Sequence, residues 1–290
     1  MKTPRTARLL AVLFFAAGLA ACGTTGMGPA PDLALSDRPL TGKLVWHDLI
    51  TDDVEAARRF YGGLFGWKFR DTTHPSSGGQ YTLITAGDRY VGGMLQLDDP
   101  EGADYSRWLG YVSVADVDEA VERTRAAGGK AVAGPADLGS FGRAAAVIDP
   151  QGAVVGLLRS DFGDPADSEA PGAGQVVWDE LLAADDEAAA RFYAGLAGYQ
   201  AETLNRRGGE YVVLKSQGRE RAGVMDRPDD RLQPFWLTHF AVTDPADAAR
   251  RAAELGGTVL LAPSPDFRDG RLAVVTDPTG AILALHQWPE

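Results

Sequence analysis

The chain has 290 residues and a formal net charge of −12, with 40 acidic residues against 28 Lys and Arg. So acidic a chain repels phosphate backbones, which argues against nucleic acid as a partner and suits a neutral or cationic small molecule. The chain contains 1 cysteine, which excludes internal disulfides. Its length is enough for two domains of ordinary size.

The first segment is typical of a secretory signal. Lys2, Arg5 and Arg8 precede the apolar run LLAVLFFAAGLAA at residues 9–21, which is too short to span a bilayer comfortably. The run ends in LAAC, with Cys22 at the expected cleavage site. This pattern resembles the lipobox of bacterial lipoproteins. An ordinary signal peptide that happens to contain a cysteine is the alternative interpretation.

The resemblance implies a lipid anchor. Residues 1–22 would be the lipoprotein signal peptide, and Cys22 would become the lipidated first residue. Gly23 follows, where the inner-membrane retention signal of lipoproteins usually has Asp. We therefore expect a protein of the bacterial cell envelope, lipid-anchored in the outer membrane and facing the periplasm. The small, polar residues of 23–42 predict a flexible tether.

The rest of the chain is a tandem repeat. VWHDLITDDVEAARRFY at 45–61 matches VWDELLAADDEAAARFY at 177–193, and two later blocks match at similar offsets. Between the copies, Pro, Gly and acidic residues mark a linker at 161–174. The repeat predicts an N-terminal domain at 43–160 and a C-terminal domain at 175–288.

Each half divides into two similar units. A short strand leads into an aspartate and then an amphipathic helix, and the four helix-start residues are Asp53, Asp116, Asp185 and Asp244. Gly66 and Gly198 suit left-handed helix ends, and three short strands follow each helix. The pattern predicts strand, helix and three strands, four times over. The Phe-Tyr pairs late on the first helix of each half predict core packing against the sheet.

These repeated motifs resemble those of the vicinal oxygen chelate superfamily, which contains glyoxalases, bleomycin-resistance proteins and extradiol dioxygenases. The resemblance covers residues 43–288 and is similar in particular to tandem, glyoxalase-like members. It implies an α+β fold of two tandem domains, each a pair of βαβββ units that form a cupped sheet. It does not name a reaction, because the fold hosts several unrelated chemistries. Single-domain members dimerise, and the duplication satisfies that contact internally, so we expect a monomer.

The resemblance also implies where a metal would lie. The usual ligand positions are on the first strand of each unit and on the last strand. Here those positions carry residues that cannot bind a metal, namely Trp46, Leu109 and Gly156, and Trp178, Leu237 and Ala284. The usual site is therefore lost in both halves.

A second metal hypothesis follows from strand periodicity, since side chains two apart share a face. Two residues further on, the first half has Asp48, Tyr111 and Leu158, whereas the second has Glu180, His239 and His286. Two His and one carboxylate are the ligand types of a facial triad for Fe(II), acceptable also to Zn or Ni. Structural roles for these residues are the alternative. The same register points His47 and Asp179 away from the cups, and we expect His47 and His74 to be solvated.

The competing hypothesis is binding without chemistry. Trp46 and Trp178 offer flat apolar surfaces, each with an acid close by, Asp48 and Glu180. Such cups, with Tyr111 in the first, suit a small aromatic or cationic molecule, as in bleomycin-resistance proteins. The tryptophans could equally fill a narrowed cup. The sequence therefore predicts a membrane-anchored, glyoxalase-like binding protein with no certain cofactor. The alternative is a metal-dependent lyase or dioxygenase that acts through the C-terminal domain.

Overall fold

The computed structural model describes residues 35–36, 38–97, 106–168, 170–206 and 209–288. The N-terminal domain contains β1 (Leu44–Thr51), α1 (Val54–Phe65), β2 (Lys68–Thr73), β3 (Gln80–Ala86), β4 (Arg89–Gln96), β5 (Arg107–Ser113), α2 (Val117–Ala126), β6 (Lys130–Asp137), β7 (Arg143–Ile148) and β8 (Val154–Arg159). The C-terminal domain contains β9 (Val176–Ala183), α3 (Asp186–Ala197), β10 (Gln200–Arg206), β11 (Gly209–Ser216), β12 (Arg219–Asp226), β13 (Phe235–Val242), α4 (Pro245–Glu254), β14 (Thr258–Leu261), β15 (Leu272–Thr276) and β16 (Ile282–Gln287).

Each domain is built on one sheet, with the strand orders β2-β3-β4-β1-β5-β8-β7-β6 and β10-β11-β12-β9-β13-β16-β15-β14. The first strands of the two units lie antiparallel at the centre of each sheet. The last strand of each unit returns parallel to the first strand of the same unit. This arrangement confirms the predicted α+β fold of two tandem domains, each a pair of βαβββ units.

The helices begin and end where the sequence predicts. The four predicted aspartates each accept a hydrogen bond from a backbone N–H in the first turn, and these N-caps are Asp53, Asp116, Asp185 and Asp244. Gly66 and Gly198 end α1 and α3 with φ angles of 71° and 72°. Only glycine adopts this left-handed conformation without steric penalty, so the glycine is what permits the sharp exit into the next strand.

The two faces of each sheet have different neighbours. One face packs under the helices, and Leu49 and Trp108 lie there with Phe60 of α1 in one buried cluster. The opposite face carries Trp46 and Asp48, as the alternation of side chains along a strand requires. We call this opposite face the cup of each domain. The first cup lies on the β1–β8 sheet and the second cup on the β9–β16 sheet.

The helices also join the two domains. One core cluster contains residues of α2 together with residues of α3, and the other contains residues of α1 together with residues of α4. Tyr193 of α3 donates to Asp149 at 3.1 Å and accepts from the Trp236 indole at 2.9 Å. The matching Tyr61 of α1 accepts from the Trp108 indole at 2.9 Å and lies close enough to Asp277 of the other domain to feel its charge. The repeated Phe-Tyr pair therefore builds the domain interface as well as the core.

One buried His–Asp contact links equivalent positions of the two domains. His47 Nε2 lies 3.0 Å from both carboxylate oxygens of Asp179, and Thr238 donates to the same carboxylate at 2.9 Å. Both His47 and Asp179 point away from the cups, as predicted. The prediction that His47 is solvated is wrong, because its side chain is 5% exposed. The error arises because this face of β1 is covered by the other domain rather than by water.

The last residues of the predicted tether, Leu40 to Gly42, contact both domains. Leu40 is buried, and its backbone N–H donates to the buried Asp164 carboxylate at 2.6 Å. Gly42 packs against the second domain, whose Tyr199 hydroxyl donates to its carbonyl. The last residues of the 23–42 segment are therefore packed against the two domains. Asp164 belongs to the predicted linker, which is fastened in the same way.

The predicted signal peptide at 1–22, the lipidation site Cys22 and the start of the tether lie outside the described residues. Within the described ranges, none of the four α-helices combines the length and apolar character that crossing a membrane requires. The membrane anchor therefore stays a prediction from the sequence.

Candidate ligand-binding cups

The first cup has a buried carboxylate at its floor, held by three aromatic side chains. The Trp46 indole N–H donates to Asp48 Oδ1 at 2.9 Å, and Tyr81 donates to the same oxygen at 2.5 Å. Tyr111 of β5 adds a third hydrogen bond to Asp48. Asp48 is 3% exposed, whereas Trp46 and Tyr111 are only partly buried. Trp46 and Tyr111 are therefore partly accessible to solvent, and the acid is buried beside them.

Burial dominates the electrostatics of this group. Desolvation raises the pKa of Asp48, and the hydrogen bonds from Tyr81, Trp46 and Tyr111 offset that rise only in part. The pKa values of Tyr81 and Tyr111 are also raised, first by burial and then by the negative charge of Asp48. Both phenols are therefore neutral donors at physiological pH. The site is a carboxylate that is solvated by neutral groups instead of water.

Glycines create the room for these contacts. A Cβ at Gly93 would stand 1.7 Å from the Tyr81 hydroxyl oxygen and 2.7 Å from Asp48 Oδ1. In the second domain, a Cβ at Gly223 would stand 1.8 Å from the hydroxyl oxygen of Tyr211. Real side chains do not tolerate such distances, so glycine at the equivalent point of β4 and β12 is a condition for the tyrosine to reach over the sheet.

The second cup repeats the same cluster. The Trp178 indole N–H donates to Tyr211 at 2.9 Å, and Tyr211 hydrogen-bonds to Glu180. Glu180 is 2% exposed, and Trp178 is partly buried. Desolvation raises the pKa of Tyr211, and the charge of Glu180 raises it further, so this phenol also stays neutral. Trp, Tyr, acid and Gly therefore form a duplicated unit, which we call the Trp–Tyr–acid cluster.

A cation distinguishes the second cluster from the first. The Arg268 guanidinium forms an ion pair with Glu180 Oε1. The same guanidinium lies 5.5 Å from the centre of the Tyr211 ring. Arg268 precedes β15 and adopts a φ angle of 47°, which is rare for a residue with a side chain. By the alignment of the two halves, the position equivalent to Arg268 is the exposed Ser140.

The structure brings together the three residues of the predicted metal triad, but not around one point. His239 Nε2 lies 3.8 Å from Glu180 Oε2, while His239 Nδ1 lies 3.2 Å from His286 Nδ1. Glu180 and His286 therefore approach opposite nitrogens of the His239 ring. Within the described residues, no group of three or more His, Cys, Asp or Glu side chains is placed to hold a metal ion. The triad is better described as a buried chain that runs from Arg268 to His286.

The usual metal positions of the resemblance do not fit a metal either. Trp46 pairs with Tyr111 on the next strand, and Tyr111 pairs with Gly156 on the strand after that. The ring of Tyr111 fills this row across the sheet. A Cβ at Gly156 would stand 2.3 Å from that ring. The residues at the usual positions, which are Trp46, Leu109 and Gly156 in the first half, supply no metal-ligating side-chain atoms.

Five residues of the cups are not predicted by the sequence motifs above. Tyr81 and Tyr211 complete the two clusters, Gly93 and Gly223 admit them, and Arg268 supplies the cation. The tyrosines and glycines stand at equal offsets in the two halves, so a search for repeated polar and glycine residues outside the long matching blocks could have found them. Arg268 has no counterpart in the first half, so only the structure places it in the cup.

Two family models match the chain. Residues 43–157 match the Glyoxalase/Bleomycin resistance protein/Dioxygenase superfamily, and residues 175–285 match a Glyoxalase-like domain. CFP32 of Mycobacterium tuberculosis is 34% identical over 246 residues, covering 83% of this chain and 92% of that protein. The chain belongs to the glyoxalase/bleomycin resistance/dioxygenase superfamily. The anthracycline biosynthesis protein DnrV of Streptomyces peucetius is 32% identical over 263 residues, covering 86% of this chain and 94% of its own.

Solved structures of this superfamily share the fold. A Mn(II)-bound glyoxalase from Novosphingobium aromaticivorans superposes with a TM-score of 0.58 at 15% identity, covering 86% of this chain and 83% of its own. The 2,3-dioxygenase LapB from Pseudomonas sp. KL28 superposes with a TM-score of 0.56 at 14% identity, covering 86% and 96%. At such identities the likeness establishes the architecture and leaves the reaction open.

Proposed function

We propose that this superfamily member binds a small aromatic molecule in its cups and that no metal at the usual positions takes part. The observation that carries the proposal is the Trp–Tyr–acid cluster. In each cup a partly buried indole lies beside a buried acid, Trp46 with Asp48 and Trp178 with Glu180. Flat apolar surface with a few fixed polar groups is the usual composition of a small-molecule site.

The relatives support an aromatic ligand. DnrV and DauV are named as anthracycline biosynthesis proteins, and each is 32% identical to this chain over 263 residues. Anthracyclines are polycyclic aromatic compounds, whose flat faces match an indole surface. The proposal for this chain is the chemical class alone, a planar aromatic molecule that stacks on Trp46 or Trp178.

Fluorescence titration with 1,4-dihydroxyanthraquinone tests this function. The quinone should quench tryptophan emission of the full chain with saturation, and Trp46→Phe and Trp178→Phe should each remove part of that quenching. Trp236→Phe is the control, because Trp236 is buried at the domain interface. Quenching that neither cup variant alters would overturn the proposal.

A metal-dependent lyase or dioxygenase is the second candidate. The 3.2 Å between the Nδ1 atoms of His239 and His286 is compatible with two ligands of one ion, such as Fe, Zn or Ni. It ranks second because Arg268 already engages the carboxylate of Glu180. Metal analysis of the purified full chain decides. A stoichiometric metal that is lost in both His239→Ala and His286→Ala would favour this candidate.

We also propose that the protein is a monomer anchored in the outer membrane through Cys22, facing the periplasm. The support is the LAAC segment after a basic, apolar start. Cys22→Ser should leave an unprocessed precursor in the membrane fraction, and normal processing of this variant would contradict the anchor. Light scattering on detergent-solubilised protein should give the mass of one chain, and a stable mass of two chains would contradict the monomer.

A further inference from the structure

The two Trp–Tyr–acid clusters differ in one feature that identifies a ligand class. In the second cup, the Arg268 guanidinium pairs with the acid of the cluster and lies over the ring of its tyrosine, 5.5 Å from the ring centre. Phe267 flanks the same guanidinium at 5.9 Å. A buried acid with aromatic faces beside it is a receptor for a planar cation, because charge attraction and cation–π attraction act on the same group.

The first cluster has the same receptor groups without a cation. Asp48 is bonded by Trp46, Tyr81 and Tyr111, all of which are neutral donors. Among the described residues, no Lys or Arg side chain forms an ion pair with Asp48. His74, from the loop between β2 and β3, is the titratable group that faces it, with its ring 5.2 Å from that of Tyr81. Desolvation lowers the pKa of His74, so it is mainly neutral at neutral pH.

The energetic situation of Asp48 favours a cationic ligand. A buried carboxylate that has lost its water and gained only neutral donors is destabilised in its charged form. The raised pKa of Asp48 reflects this desolvation. An incoming cation restores the missing attraction, whereas Glu180 in the second cup already receives it from Arg268.

We propose that the first cup binds a planar organic cation, an amidinium, guanidinium or protonated aminoaromatic group, whose charge faces Asp48 and whose flat face lies on Trp46. Arg268 occupies the equivalent place in the second cup and closes that cup to cations. This inference rests on the proposed function, since it names the charge and the cup of the aromatic ligand. The duplication makes the second cup an internal template for the first.

Calorimetric titration of the full chain with 2-naphthamidine and its neutral isostere 2-naphthamide tests the inference. The amidine should bind at one site, on the order of tenfold more tightly than the amide, since one ion pair or cation–π contact contributes on the order of 1–2 kcal/mol. Asp48→Asn should abolish that preference, so that the two compounds bind with equal affinity. Glu180→Gln is the matched control in the second cup and should leave the preference intact.

Removal of the internal cation gives an independent result. Arg268→Ser should add a second amidine site, and Arg268→Ser with Glu180→Gln should lose it again. Arg191→Ser controls for the change in net charge, because Arg191 is an exposed residue of α3. If the Arg268 variant does not fold, the Asp48→Asn comparison still decides.

The outcomes separate this inference from the function on which it rests. Equal binding of amide and amidine that depends on Trp46 would overturn the cation preference and leave aromatic binding standing. A preference for the amidine that survives Asp48→Asn would also overturn it. Binding of neither compound would overturn the inference and the proposed function together.

Discussion

At the scale of single residues, each Trp–Tyr–acid cluster depends on a glycine that leaves space for the tyrosine. Gly93 and Gly223 lack the Cβ that would collide with the tyrosine hydroxyls of the two clusters. Each tyrosine crosses over a glycine on the neighbouring strand and reaches an acid on the first strand of its domain. Whether the acid is Asp48 or Glu180 matters less for its charge state than the hydrogen-bond and ion-pair partners that surround it.

Gly93→Ala should therefore disrupt the first cluster. The new Cβ would displace Tyr81 from Asp48, and overpacking of this kind destabilises proteins by about 1–3 kcal/mol. Gly195→Ala is the control, since a Cβ at that position of α3 meets nothing within 4 Å and alanine favours the helix. Urea denaturation measures both variants. A Gly93→Ala protein as stable as the parent, with unchanged ligand binding, would contradict the role of the glycine.

The affinity for cations should depend on pH through Asp48. Its pKa is raised by burial, so its negative charge develops as the pH rises above the usual Asp range of about 4. The affinity for the amidine should increase as the rising pH ionises Asp48, and it should level off once the carboxylate is fully ionised. His74, which faces the cup, acts in the same direction, because acidification makes it cationic and repulsive. Tyr81 and Tyr111 stay neutral throughout. Titration of the amidine at several pH values checks this, and Asp48→Asn should remove most of the dependence.

At the scale of elements, each helix packs both against the sheet of its own domain and against the other domain. Tyr193 late on α3 also hydrogen-bonds to Asp149 of the other domain. That aspartate lies in the turn before the last strand, and its other oxygen accepts the backbone N–H groups of the turn itself. A helix position and a turn are thereby fixed relative to one another across the interface.

Tyr193→Phe should reveal this coupling. The change removes the hydroxyl that donates to Asp149 and that accepts from the Trp236 indole, so it leaves a buried N–H without its partner. We expect a loss of about 1–3 kcal/mol in the free energy of unfolding. Tyr90→Phe is the control, because the Tyr90 hydroxyl makes an exposed bond to Arg70. Equal stabilities of the two variants in urea denaturation would contradict the interface role.

At the scale of the whole molecule, the two domains form one packed body. Both large core clusters contain residues from both halves of the chain. The His47–Asp179 pair joins equivalent positions of β1 and β9 at their centre. The end of the tether and the linker fasten the outside of the same interface. The shared core lies on the helix-covered faces of the two sheets, and the cups are the faces turned away from it.

His47→Ala should destabilise both domains together. It removes one hydrogen-bond partner of the buried Asp179 carboxylate, which keeps the Thr238 hydroxyl, and the loss of a hydrogen bond to a charged group costs about 1.5–3 kcal/mol. Calorimetry should show one transition shifted to lower temperature. The double variant His47→Leu with Asp179→Leu should recover much of the loss, since no charge is then left unpaired. Two separate transitions, of which only one shifts, would contradict a shared core.

The sequence by itself determined the architecture of this protein. Helical and strand periodicity, aspartate caps, glycine stops and the internal repeat are local or repeated signals, and each predicted the element that the structure contains. Alternation along a strand also predicts that Trp46 and Asp48 share one face of β1 and that Trp178 and Glu180 share one face of β9, because it needs no knowledge of other strands.

Only the tertiary structure decided what those residues touch. Tyr81 reaches Asp48 across a neighbouring strand, and Arg268 reaches Glu180 from a loop 88 residues further along the chain. His47 is buried because another domain covers it. The three residues of the predicted triad share a face, yet the direction of each side chain turns them into a chain rather than a ring of ligands. Such outcomes depend on the packing of distant segments and on side-chain rotamers, and neither leaves a periodic trace in the sequence.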